Sequence, residues 1–208
     1  MQTRARIRPT PLAPTLARVA KARHNRGVAQ TYSAQSPAWT LPALQPRALT
    51  IQFGLVLAAA WLLPAAIHLL GLPVRQLLPM HWPAILAGLV YGWRSGAVIG
   101  LLSPIVSFAI AGMPRPAVLP SMTFELAAYG AIAGLMVEVL RRNRFEAALV
   151  SVIGGRLVFL AVMLVTGAIA TPFGAYLQAA MLPGLPAAIA QAVLLPLLAN
   201  YWVRRERA

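Results

Sequence analysis

The chain has 208 residues, of which 59% are hydrophobic and only 11% charged, and this is too apolar for a soluble globule of its size. Its formal net charge of +14 does not indicate a nucleic-acid groove: seven of the eighteen basic residues precede residue 30, and most others cluster in short runs between apolar stretches. There is no cysteine, which excludes disulfides, thiolate catalysis and cysteine-ligated metals. The expectation is an all-α membrane protein, multi-pass in the cell membrane.

Residues 1–46 have no sustained apolar period, are rich in Pro, Ala, Thr and Ser, and contain Arg without any acid. They read as a basic, disordered tail. A transit peptide or a misassigned start has the same composition; a secretory signal does not fit, because Arg18 and Lys21 interrupt the only apolar patch.

From Leu49 the chain is almost continuously apolar. The punctuation by Pro, Gly and Arg predicts spans near 49–70, 83–93, 95–112, 121–140, 148–170 and 184–203. The second, Pro83 to Trp93, is short: at about 1.5 Å per residue it covers only about 16 Å of a core near 30 Å thick. A rigid loop, Met113-Pro-Arg-Pro-Ala-Val-Leu-Pro120, follows the third. The expected fold is a six-helix transmembrane bundle over 47–208.

Loop charge orients it. Arg94, then Arg141, Arg142 and Arg144, then Arg204, Arg205 and Arg207 fall on the side of the tail. The other side carries only Arg75 and Arg115, and loop 171–183 is uncharged. Lys and Arg collect in cytoplasmic loops, so both termini are expected inside.

Small residues recur four apart: Gly54 with Ala58, Gly88 with Gly92, Gly96 with Gly100, and Gly130 with Gly134. Such pairs let helices approach closely within a bundle. The Gly54/Ala58 stripe on the first helix is the one expected to meet a partner subunit.

The candidates for chemistry in the outer half are His81, Trp82, Arg115, Ser121, Thr123, Glu125, Tyr129, Arg156 and Gln191. Glu125 is the first acidic residue of the chain and stands in an apolar segment. A carboxylate at the centre of a membrane helix costs roughly 2.5–3.5 kcal/mol on insertion scales, so it usually faces a cavity or a partner. A first-turn position, gaining from the helix dipole, is the alternative. Glu138 precedes Arg141 and Arg142 by three and four residues, which a surface ion pair accounts for. His81 and Trp82 are either an interfacial aromatic pair or part of a site. Arg156 either snorkels, balances Glu125, or holds a substrate carboxylate. Gln191 is either interhelical glue or a ligand contact. No metal site is expected, because no helical spacing joins His24, His68 and His81. No catalytic constellation or phosphate loop emerges, so no cofactor is expected and the chain reads as a binder. A membrane enzyme using Glu125 and His81 would have little support around those two groups.

Three stretches carry a resemblance: Leu78-Pro-Met-His-Trp-Pro-Ala-Ile-Leu-Ala-Gly88, Ser103-Pro-Ile-Val-Ser-Phe-Ala-Ile-Ala-Gly-Met-Pro114 and Phe124-Glu-Leu-Ala-Ala-Tyr-Gly130. With Gly155-Arg156 and Pro183-Gly-Leu-Pro-Ala-Ala-Ile-Ala-Gln191, the region 48–203 resembles the substrate-specific (S) components of energy-coupling factor (ECF) transporters. The resemblance implies six helices, cytoplasmic termini, and an extracytoplasmic pocket for a vitamin-like molecule capped by the first and third outer loops. It implies a transmembrane coupling subunit and two ATP-binding cassette (ABC) ATPases as partners, the first helix docking through Gly54 and Ala58. It also implies no ATP hydrolysis by this chain. A structural protein of the cell-shape machinery, of the MreD type, is the alternative from another class. It would need no polar pocket.

Overall fold

The computed structural model describes residues 39–169 and 171–208. The tail expectation falls mostly on residues 1–38, which lie outside the described residues. Among the described residues the chain is all helix, with no strand: α1 Pro46–Leu69, α2 Val74–Leu77, α3 His81–Tyr91, α4 Trp93–Ala111, α5 Leu119–Glu138, α6 Arg144–Val165, α7 Phe173–Met181 and, after a 3₁₀ turn at Leu182–Gly184, α8 Leu185–Arg207.

Four helical runs are long and apolar enough to cross a membrane: α1, α4, α6 and the run Phe173–Arg207. At 20 residues α5 has a spanning length of about 30 Å, but it carries Ser121, Thr123, Glu125 and Glu138. α3, at 11 residues, is as short as its sequence predicts. It escapes any mismatch with lipid by being enclosed: every residue from Pro83 to Tyr91 is buried. It packs against α4, α5 and α8.

Two loops expected to be irregular contain helix. Residues 171–183, read as an uncharged connection, form α7 and the 3₁₀ turn, and 71–79 hold α2. Residues 39–45, which the sequence assigns to the tail, make defined contacts with the bundle. Leu41 N–H donates to Val90 O at 2.7 Å, and the Gln52 amide donates to Ala43 O at 2.7 Å.

The bundle closes through small residues. α5 buries Ser121, Glu125, Tyr129, Ala133 and Val137 along one stripe, and Leu126, Gly130 and Gly134 along the next. Each stripe advances four residues at a time, which keeps its members on one helix face. Gly96 of α4 and Gly130 of α5 touch backbone to backbone, and a Cβ on either would overlap the other's main chain. Dispersion between closely spaced backbones replaces the hydrophobic effect as the cohesive force in lipid. Gly54 differs: a Cβ there would meet nothing within 4 Å.

Several contacts define the end of the bundle where α1 starts and α8 finishes. Gly92, at φ +94°, turns α3 directly into α4, and Glu138 Oε2 accepts from Trp93 N–H at 3.0 Å. Glu138 therefore caps α4, and among the described residues no ion pair joins it to Arg141 or Arg142. At the same end the Arg144 guanidinium donates to Leu89 O, Asn200 Oδ1 and Trp39 O, gathering α3, α8 and the N-terminal segment on the first turn of α6. Arg47 pairs with Glu206 at 2.9 Å, joining the start of α1 to the end of α8.

Candidate functional site

A cavity of about 660 Å³ opens at the other end of the bundle. Its wall is built from α1 (Trp61, Pro64, Ala65 and His68), the α2–α3 segment, the end of α4, the 113–118 loop, and faces of α5, α6 and α7. The α1 contribution follows from local structure. Pro64 has no N–H to give to the preceding turn, and residues Ala58–Leu62 run as a π turn. Trp61, Pro64, Ala65 and His68 then share one helix face.

The floor is polar. Glu125 is 2% exposed and lies in the second turn of α5, which starts at Leu119. The first-turn placement expected from the sequence is corrected by this earlier start, and a dipole role with it, since the dipole effect fades beyond the first turn. Arg156 Nη1 donates to Glu125 Oε1 at 2.9 Å. The Arg156 side chain is 16% exposed, so this pair is largely removed from water. The contact with Glu125 is thus present in the structure, and Arg156 does not snorkel to the surface.

His81, the first residue of α3, is 3% exposed and lines the same cavity. Its Nε2 stands 3.5 Å from Glu125 Oε1, at the outer limit of a hydrogen bond, and neither ring nitrogen has a hydrogen-bond partner. The ring is held from behind by Tyr129, edge to face with centroids 5.0 Å apart. Tyr129 reaches that position because Gly155 has no side chain: a Cβ there would lie 2.6–2.7 Å from the tyrosine ring. Ser151 Oγ also donates to Tyr129 O at 2.9 Å. The Gly155-Arg156 pair thus does two things at adjacent positions. The glycine admits the ring that supports His81, and the arginine crosses to Glu125.

Of the residues singled out in the sequence, His81, Arg115, Glu125 and Arg156 line the cavity. Tyr129 stands behind it. Trp82 turns away, its indole N–H donating to Leu77 O at 2.8 Å and its ring packed on the main core. Gln191 is fully buried in α8, outside the cavity lining, with neither amide atom hydrogen-bonded. Trp61, His68, Arg75 and Tyr176 line the cavity and were not singled out as site residues. For α1 a signal existed, since 61, 64, 65 and 68 keep the period of one helix face. Arg75 was legible only as a topology charge, and Tyr176 sat in a segment read as loop.

Residues 47–202 match the family model described as ECF transporter, substrate-specific component. No curated protein and no solved structure matches the chain. The match spans α1 to nearly the end of α8, and so includes every wall of the cavity. The chain belongs to the family of ECF transporter substrate-specific components, membrane subunits that bind the substrate and are not themselves enzymes.

Proposed function

We propose that this protein captures a vitamin-like small molecule at the extracytoplasmic face and delivers it through an ATPase-driven coupling module. The observation that carries this reading is the cavity of about 660 Å³ with Glu125, Arg156 and His81 at its floor, at the end opposite the start of α1 and the end of α8. That volume lies within the range of about 300–1,000 Å³ usual for small-molecule sites. Its apolar walls with a few convergent polar groups also suit such a ligand. A cell-shape protein has no need of such a floor.

In this reading six helices cross the bilayer, the short α3 and the polar α5 being shielded by their neighbours. The arginine-rich end is cytoplasmic, in keeping with the positive-inside bias, and the cavity faces out. Substrate orders the first and third outer loops, near 71–80 and 171–183, over the mouth, and the subunit then turns in the membrane to release its cargo inward. The coupling subunit, with its two ABC ATPases, docks on α1. Open space beside Gly54 supports that assignment.

The test is uptake by proteoliposomes containing this chain and an ECF coupling module, with the water-soluble vitamins as a radiolabelled panel. Accumulation of one vitamin that needs both ATP and this chain is the expected result. Absence of any ATP-dependent uptake would count against the transport reading.

A further inference from the structure

The charge around the cavity is one-sided. Its lining contains three arginines, Arg75, Arg115 and Arg156, and two histidines, His68 and His81, against one carboxylate. That carboxylate, Glu125, already has Arg156 on its Oε1. Arg75 and Arg115 are exposed and, among the described residues, have no hydrogen-bond or ion-pair partner. They come from separate segments, α2 and the 113–118 loop, yet line one opening. With the cavity end facing outward, they are also the only two charges of the outer loops 71–80, 113–120 and 171–183. At the floor, His81 is 97% out of solvent by its 3% exposure and both its ring nitrogens lack a partner. A buried polar group left unpaired costs on the order of 1–3 kcal/mol, which marks it as waiting for a partner.

We infer that the cavity selects a small water-soluble organic acid and holds it in one direction, with the carboxylate or phosphate on Arg75 and Arg115 at the mouth and a hydrogen-bonding group on Glu125 and His81 at the floor. This rests on the reading of the cavity as the substrate site. The polarity follows from chemistry. An anion driven to the floor would meet the Glu125 carboxylate, whereas two free guanidinium groups at the mouth offer paired N–H donors matched to a carboxylate or phosphate. Glu125 accepts hydrogen bonds only, so the inner end of the ligand must bring an N–H or O–H. Between the two ends, Trp61, Met80, Met122 and Phe159 provide an apolar middle. Positive charge at the mouth also steers an anion inward from water.

The experiment incubates the purified, detergent-solubilised full chain with the aqueous small-molecule filtrate of a cell extract supplemented with the water-soluble vitamins, and identifies bound compounds by mass spectrometry. Three variants are run in parallel: R75Q/R115Q, R75K/R115K and E125Q, each accepted only if its melting temperature shows it folded. The expected result is enrichment of an acid that also carries an N–H or O–H remote from its anionic group. Its binding falls roughly tenfold in R75Q/R115Q and is only partly recovered in R75K/R115K, which keeps the charge and loses the paired donors. Enrichment of a neutral or cationic compound overturns the inference and leaves the transport reading standing. So does an acid whose affinity ignores both rim arginines. An anionic lipid recovered only in the organic phase, with nothing enriched from the aqueous one, overturns it too. Enrichment of nothing from either phase overturns this inference together with the transport reading.

Discussion

Arg156 of α6 and Glu125 of α5 meet at 2.9 Å across the floor of the cavity, and Glu125 is all but inaccessible to solvent. One contact therefore links the packing of two helices to the polarity of the site. A buried pair of this kind contributes little net stability when intact, because desolvation offsets the attraction. Breaking it from one side leaves an uncompensated charge.

Glu125→Gln and Arg156→Gln are each expected to cost about 3 kcal/mol of stability. The double variant should cost less than their sum by about 1 kcal/mol or more, since it leaves no stranded ion. Unfolding of the four proteins in one detergent measures the coupling. Strict additivity would mean the two groups act independently.

Glycine positions should divide by what they face. Gly96→Ala puts a methyl group into the Gly130 main chain, and overpacking of this kind costs about 1–3 kcal/mol. A Cβ on Gly54 meets nothing within 4 Å, so for Gly54→Leu melting temperature and ligand affinity should stay at wild-type values while ATP-dependent uptake falls. A fall in affinity in step with uptake would show that this face packs within the subunit.

Gln191 is fully buried with both amide atoms unpaired, and it does not line the cavity. Replacing such a group by an apolar one of similar shape is nearly neutral or stabilising. Gln191→Met is therefore expected to hold or raise the unfolding free energy by up to about 1 kcal/mol, with ligand affinity unchanged. Loss of ligand binding at unchanged stability would move Gln191 into the site.

At the far end, Arg144→Met removes charged donors from Leu89 O, Asn200 and Trp39 O. A hydrogen bond to a charged group is worth about 1.5–3 kcal/mol, so a loss of about 2 kcal/mol is expected, with no change in ligand affinity. A chain beginning at Trp39 should insert and melt like the full chain. One beginning at Arg47 should insert but melt lower, because it lacks the Trp39 and Leu41 contacts. Equal melting of the two shortened chains would leave that segment without a stabilising role.

What the sequence by itself determined follows from local physics. The all-helical membrane class came from apolar runs of spanning length, and the short α3 came from the spacing of its flanking breaks. The close approach of α4 and α5 was written in Gly96, Gly100, Gly130 and Gly134, because the absence of a side chain is a property of the residue itself. Glu125 was legible as a lone carboxylate among apolar neighbours, since desolvation is costly wherever such a group lies. The tertiary structure decided the rest. Arg156 had three open readings until α6 was set beside α5, because an arginine's reach allows several partners. Trp82 and Gln191 carried the same polar signal as His81, but which face of a helix meets the cavity depends on its rotation, set by packing against helices distant in sequence. Glu138 satisfied a local ion-pair spacing and yet caps α4 45 positions earlier, where the backbone N–H of Trp93 offered a better-placed donor. The period of Trp61, Pro64, Ala65 and His68 marks one face of α1, but only the fold shows that this face meets a cavity, and α7 lies in a segment that reads as a loop.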